Sequence, residues 1–201
     1  HCGCLAGLHG VVSVDSVFVA KGFSSLGTDK VEDMLKDAKR LSGATGIHEL
    51  AVGDVITVGS VTFKVIGPEG LTDNGENDDS ICLIATTDLN DDGVGEWRAF
   101  FAGDAESEVL DSLNDEGTLE DIDILKVSHH GAKSALDEEL MAVLKPEIAL
   151  ISVGERNRYG HPAANTVSLL ESCDAEVFRT DLQGDVVCSL NQTSISIRTM
   201  K

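Results

Sequence analysis

Ile122-Asp-Ile-Leu-Lys-Val-Ser-His-His-Gly131 decides how this chain is read. An apolar run ends abruptly in two adjacent imidazoles and a glycine, and a helical pattern follows. Two other segments repeat the arrangement. They are Arg98-Ala-Phe-Phe-Ala-Gly-Asp104 and Ile148-Ala-Leu-Ile-Ser-Val-Gly154, the latter running on to Asn157-Arg-Tyr-Gly-His-Pro162. Taken as neighbouring parallel strands, the three runs put their carboxyl ends along one sheet edge, where open α/β folds place ligands. Asp104, His129, His130 and His161 then converge. Carboxylate with imidazole is the donor set of a hydrolytic metal site.

Outward from this centre, Val14–Ala20 alternates as a strand, and Asp29–Leu41 is an amphipathic helix with Val31, Met34, Leu35 and Ala38 on one face. Gly43 and Gly46 end that helix. Val55–Val58 and Val61–Ile66 flank Gly59-Ser60, a hairpin signal of type I′ or II′. Residues 69–79 form a polar loop. Ser80–Thr87 and Trp97–Ala102 are strands joined by the acidic loop Asp88–Glu96. Helices are expected over Glu106–Leu113, capped by Asp104, over Ser134–Leu144 and over Ala163–Glu171. Ile122–Val127 and Ile148–Val153 are strands, and Val177–Arg179, Asp185–Leu190 and Ser194–Arg198 close the chain. Hairpins in the first half and strand–helix alternation in the second predict two sheets with helices outside.

The chain of 201 residues is 42% hydrophobic, enough for one domain with a sizeable core. No apolar run approaches the roughly 18 residues of a membrane helix, and no signal peptide is visible. Opening on His1 rather than Met suggests a piece of a longer parent. A net charge of −20 counts against an extended nucleic-acid face, so any polyanion site must rely on metal ions and local Lys or Arg. The five cysteines are odd in number and scattered. Cys82, Cys173 and Cys188 sit in apolar patterns as expected buried thiols, and Cys2 and Cys4 have no second pair with which to build a metal site.

Each candidate also has a structural use. Asp after Gly at a strand end is a common helix cap. His161 lies in a loop dense in hydrogen-bonding groups that could simply fasten itself to the sheet. His129-His130-Gly131 is harder to explain structurally, because adjacent histidines at a turn point different ways and Gly131 lets the backbone bend closely. His9 and His48 lack such neighbours and read as surface or half-buried residues. Neither a nucleophile elbow nor a phosphate-cradling loop is present.

Asn77-Asp-Asp-Ser80, Phe100-Phe-Ala-Gly-Asp-Ala-Glu106, Asp123-Ile-Leu-Lys-Val-Ser-His-His-Gly131, Asn157-Arg-Tyr-Gly-His-Pro162 and Arg179-Thr-Asp-Leu-Gln-Gly184 occur in that order. The set resembles the metallo-β-lactamase-type domain of the ComEC DNA-uptake channel proteins, closely over residues 75–190 and loosely elsewhere. The resemblance implies an α/β (α+β) fold, a four-layer αββα sandwich missing its first strands, with residues 1–201 as one partial domain. It implies two divalent ions, Zn²⁺ or Mn²⁺, with Asp104 bridging, His130 (or His129) a terminal ligand and His1 on the other ion. Family ligands upstream of His1 are absent from this chain, which weakens metal binding. Ala132 stands where relatives often carry Ser. The implied reaction is hydrolysis of single-stranded DNA during uptake, with His129 or His161 as proton donor and Lys133, Ser134, Asn157 and Tyr159 as substrate contacts. The parent is expected to be a bacterial membrane channel carrying this soluble domain on its extracytoplasmic side, and no stable nucleic-acid binding is expected from the acidic segment alone. A same-fold hydrolase of another ester and a non-catalytic, partner-binding or regulatory domain are the alternatives.

Overall fold

A computed structural model describes residues 5–42, 46–71 and 76–201. His1, Cys2, Cys4 and Gly43 lie outside the described residues. In chain order the elements are α1 (Leu5–Leu8), β1 (Val17–Ala20), α2 (Asp29–Ser42), β2 (Ile47–Leu50), β3 (Val55–Val58), β4 (Val61–Gly67), β5 (Cys82–Thr87), β6 (Trp97–Phe101) and α3 (Ser107–Asp115). There follow β7 (Ile124–Lys126), α4 (Glu138–Leu144), β8 (Ile148–Ile151), α5 (Ala164–Ser172), β9 (Glu176–Arg179), α6 (Thr180–Gln183), β10 (Asp185–Leu190) and β11 (Ile195–Met200).

Seven strands form one mixed sheet in the order β3-β4-β5-β6-β7-β8-β9. β3 to β6 pair antiparallel, and β6 to β9 pair parallel, as strand–helix alternation requires. Register aligns Ile84, Phe100, Leu125 and Ala149 in one row across four strands. That row is buried in a single core with Leu110 and Leu113 of α3, Leu140, Met141 and Leu144 of α4, and Leu170 of α5. The opposite face buries Ala85, Ile124 and Ile148 but leaves Phe101 38% exposed. Two smaller sheets complete the fold: β1 parallel to β2, against which α2 packs through Val31 and Ala38, and the β10–β11 hairpin. The mixed α/β class is as expected, and the described strands fall into one seven-stranded sheet and two two-stranded ones.

Several local expectations need correction. Asp104 does not cap α3. The helix begins after Glu106, and the Glu106 N–H is taken by Asp78 Oδ1 from a distant loop at 2.9 Å. The helix expected from Ser134 starts at Glu138, because Asp137 caps it by accepting from Leu140 N at 2.8 Å, while Ala135 and Leu136 are buried in an irregular turn. Ile47–Leu50, given no element from the sequence, is a strand paired with β1. Of the expected buried thiols only Cys82 is buried, and burial pushes its thiol up to about 12. Cys188 is half-buried, and Cys173 is exposed because it follows the last turn of α5.

Candidate functional site

β6, β7 and β8 are parallel neighbours, so the segments leaving their carboxyl ends share one edge of the sheet. The first delivers Asp104. The second makes the tight turn Ser128–Gly131 with both histidines. The third becomes the loop 152–163 with His161. A mesh of hydrogen bonds fastens them together. His129 N donates to Gly103 O at 3.2 Å, Ser128 Oγ donates to Ala105 O, Ala163 N donates to Gly131 O at 2.8 Å, and Asp104 N donates to Ser80 Oγ at 3.1 Å.

His129 (φ 42°, ψ 44°) and His130 (φ 55°, ψ 22°) both occupy the left-handed region. For residues with a Cβ such backbone costs on the order of 1–3 kcal/mol each, and the surrounding bonds must hold it. The strained turn is what points the two rings differently. His130 Nδ1 lies 2.5 Å from Ser152 O, and a carbonyl can only accept, so Nδ1 carries the hydrogen. That leaves Nε2 as the ring's donor atom for a cation or proton, 3.6 Å from Asp104 Oδ1. The separation is too long for a hydrogen bond and suits two ligands meeting on one ion.

His129 Nδ1 is buried and 3.4 Å from Glu106 Oε1, close but off the line of a hydrogen bond. Glu106 is itself held by Asn77, whose Nδ2 donates to Oε1 at 2.9 Å. The His129 ring stands 5.4 Å from that of His161 and 6.4 Å from that of His130. Burial first, and then the neighbouring His129 and His130, hold His161 below the usual imidazole range, against the pull of Asp104. Lys126, at the end of β7, donates to Val127 O at 2.7 Å. Burial lowers its pKa, and the Asp104 carboxylate opposes the shift.

A cleft of about 380 Å³ opens beside these groups, lined by His130, Ser152, Asn157, Tyr159, His161 and Thr180 among others. Tyr159 is 84% exposed and stacks on His161, ring centroids 5.9 Å apart and planes 13° from parallel. Arg156 and Arg158 are exposed on the same loop, and Lys133 and Ser134 are exposed beyond Gly131. Asn157, expected to touch substrate, lines the cleft and also holds the loop. Its Nδ2 donates to Gly154 O (3.2 Å) and His161 O (2.7 Å), and its Oδ1 accepts from His161 N at 2.9 Å. Thr180 fixes the loop's other end by bonding both N and O of Val153 at 2.8 Å.

The described residues thus bring together Asp104, His129, His130 and His161, and they place Lys133, Ser134 and Tyr159 on the exposed rim. His1 falls outside them. Among the described residues no group of three or more His, Cys, Asp or Glu is placed to hold a metal ion. Sequence reading missed Glu106, Asn77 and Lys126 as parts of the site. Asn77 and Glu106 lie in quoted motifs, but nothing in the text of the chain says that a loop residue braces a carboxylate 29 positions away.

Gly131 is a tight joint between the histidine turn and the His161 loop. Its φ is +78°, and a Cβ there would stand 2.7 Å from Pro162 Cβ. Gly131→Ala is expected to cost about 2 kcal/mol or more in urea unfolding, from left-handed backbone plus overlap. Gly117→Ala, also at positive φ but facing open space, bears only the backbone part and is the control. Equal losses in the two variants would refute close packing of the His turn on the His161 loop.

No family model matches the chain. It is 32% identical over 173 residues to ComE operon protein 3 of Bacillus subtilis (strain 168), covering 86% of this chain and 21% of that protein. It is 30% identical over 139 residues to Recombination protein 2 of Haemophilus influenzae, covering 68% of this chain and 16% of that protein. The chain therefore spans about a fifth of the length of the curated relatives it matches. No helix among the described residues is long and apolar enough to cross a membrane. On these two likenesses the chain belongs to the ComEC family.

Proposed function

We propose that this segment is the metal-dependent hydrolytic domain of a bacterial DNA-uptake protein, cutting phosphodiester bonds of a single DNA strand on the extracytoplasmic side of the membrane. The observation that carries the reading is the pair Asp104 and His130, which meet 3.6 Å apart at the sheet edge. The His130 tautomer is set by Ser152 O, and two successive left-handed histidines are held there at a cost in backbone strain. The family resemblance supplies the DNA-uptake context.

Asp104 Oδ1 and His130 Nε2 are the donors that fit a Zn²⁺ or Mn²⁺ ion, with His1 as a further imidazole for a second ion. A bound divalent ion supplies Lewis acidity and neutralises charge on phosphate oxygens. The chain's own residues do the rest. Glu106, braced by Asn77, keeps a carboxylate 3.4 Å from His129 Nδ1. His129 or His161 is the proton donor to the leaving oxygen, and burial, which lowers the His161 pKa, favours that ring's neutral form. Lys126 places positive charge beside Asp104. Lys133 and the loop arginines offer contacts for a polyanion on an otherwise acidic surface, and Ser134 offers a hydroxyl beside them. Tyr159 offers an exposed ring on which an unstacked base can lie. Tyr159→Ala is expected to raise the KM for single-stranded DNA roughly five- to tenfold with kcat little changed, in keeping with ~1–3 kcal/mol for one base–aromatic stack. A fall in kcat at constant KM would remove the stacking role.

The test is cleavage of end-labelled single-stranded DNA with added Mn²⁺ or Zn²⁺, set beside phosphatase and carboxylic-ester substrates. Metal-dependent cutting supports the reading. An ester turned over while DNA is cut no faster than in metal-containing buffer would show instead a hydrolase of another substrate. A second reading, a non-catalytic partner-binding domain, is favoured by the absence, among the described residues, of any group of three or more His, Cys, Asp or Glu placed to hold a metal ion. No turnover of any substrate, with no metal bound, would support it.

A further inference from the structure

Between β5 and β6 the chain runs Asp88-Leu-Asn-Asp-Asp-Gly-Val-Gly-Glu96, four carboxylates and no basic residue in nine positions. This loop precedes β6 whereas Asp104 follows it, so the two lie at opposite edges of the sheet. Asp88, Asn90 and Asp92 alternate and Gly93 follows, the Asp-x-Asn-x-Asp-Gly order of oxygen-donor calcium loops.

The backbone is wound as that order requires. Asp88 accepts from Gly93 N at 2.9 Å and from Asp92 N at 3.2 Å. Asn90 Oδ1 accepts from Asp92 N at 3.0 Å, and Asp92 Oδ1 accepts from Val94 N at 2.8 Å. Gly93, at the sixth position, has φ +82°, where the sharp turn of such loops calls for glycine.

An independent observation comes from the base of the loop. Glu96 reaches back into it, Oε2 accepting from Leu89 N at 2.7 Å, while its Oε1 is fully buried with no hydrogen-bond partner. The hydroxyl oxygen of Thr87, a residue only 7% exposed, is buried without a partner beside it in sequence. Buried carboxylate oxygens are costly to leave unmet, and a cation meets them. Two of the three such atoms among the described residues flank this one loop.

We propose that Asp88–Glu96 binds Ca²⁺, with Asp88, Asn90, Asp92 and Glu96 as side-chain donors and the Val94 carbonyl as backbone donor. An all-oxygen set selects a hard cation over Zn²⁺. The twelfth position, where helix–loop–helix sites carry a bidentate Glu, is Ala99 in β6, so Glu96 at the ninth supplies that carboxylate. The carboxylates are not yet gathered on one point. The ion draws Asp92 away from Asn90 Nδ2, which it accepts from at 2.9 Å without metal. A site that closes on its ion with few ligands belongs in the weak range, about 10⁻⁴–10⁻³ M. Its effect is to staple β5 to β6, the strands whose other ends present Ser80 and Asp104.

Trp97, the chain's single tryptophan, follows Glu96 and makes the test specific. Terbium(III) added to the metal-stripped 201-residue chain is expected to luminesce when excited through the indole, and Ca²⁺ should displace it better than equal Mg²⁺. The double variant Asp88→Asn, Asp92→Asn should weaken the signal at least about tenfold, and Asp104→Ala should leave it unchanged. Glu96→Gln, nearly isosteric, repeats the test should the double variant lose its circular dichroism spectrum. Absent sensitised emission together with absent calorimetric heat up to about 10 mM Ca²⁺ overturns the proposal. So does emission that survives both sets of substitutions, or that disappears with Asp104→Ala.

Discussion

Asp104→Ala is expected to lower metal-dependent cleavage of single-stranded DNA at least about a hundredfold, while the melting temperature stays within a few degrees of the parent. The two halves of that expectation have separate physical grounds. The carboxylate faces His130 Nε2 at 3.6 Å and is the acidic donor that β6 delivers to the edge, so its loss leaves one imidazole to hold an ion. Stability is spared because Asp104 does not cap α3, and its backbone N–H keeps the Ser80 hydroxyl as partner whatever the side chain. Calorimetric titration with Mn²⁺ and Zn²⁺ checks the binding half without any turnover. His9→Ala, at an exposed position, serves as the neutral control. Full activity in Asp104→Ala would place the chemistry elsewhere and leave the histidine turn as a structural feature.

Phe100→Ala is expected to destabilise the fold by about 3–5 kcal/mol in chemical denaturation, a large part of the roughly 5–15 kcal/mol that domains possess. Phe100 is 1% exposed and sits mid-row between Ile84 and Leu125, where the sheet meets α3, α4 and α5. Truncating it opens a cavity that close-packed neighbours fill only in part. Its chain neighbour Phe101 points to the other face and is 38% exposed, so Phe101→Ala should cost much less. Comparable losses at the two positions would mean that the outer face is as tightly packed as the helical side.

Much of this architecture is legible in residue order. The β3–β4 hairpin follows from two β-branched runs around Gly59-Ser60, and α2 from the spacing of Val31 and Ala38. The parallel run β6-β7-β8 follows from apolar segments separated by helical patterns. These features rest on local periodicity, which a chain carries in itself. The start of α4 was misplaced because Ala135 and Leu136 continue a helical pattern while the chain is still turning, and only the Asp137 cap halts the ambiguity. The strand Ile47–Leu50 was missed because its four residues show no clear alternation, and its partner β1 lies about 30 positions away.

What the sequence alone determined is which chemical groups stand at the carboxyl ends of three strands: a carboxylate, an imidazole pair and a third imidazole. Strand polarity and connection length oblige those ends to share an edge. Only the tertiary structure decided how the groups face one another: the Ser152 carbonyl that sets the His130 tautomer, the Asn77–Glu106 pair near His129, the hold of Asn157 on its own loop, and the charge of Lys126 beside Asp104. Each of these joins residues from different segments through a few ångströms of space, and such distances are set by packing, for which no local pattern in the chain exists.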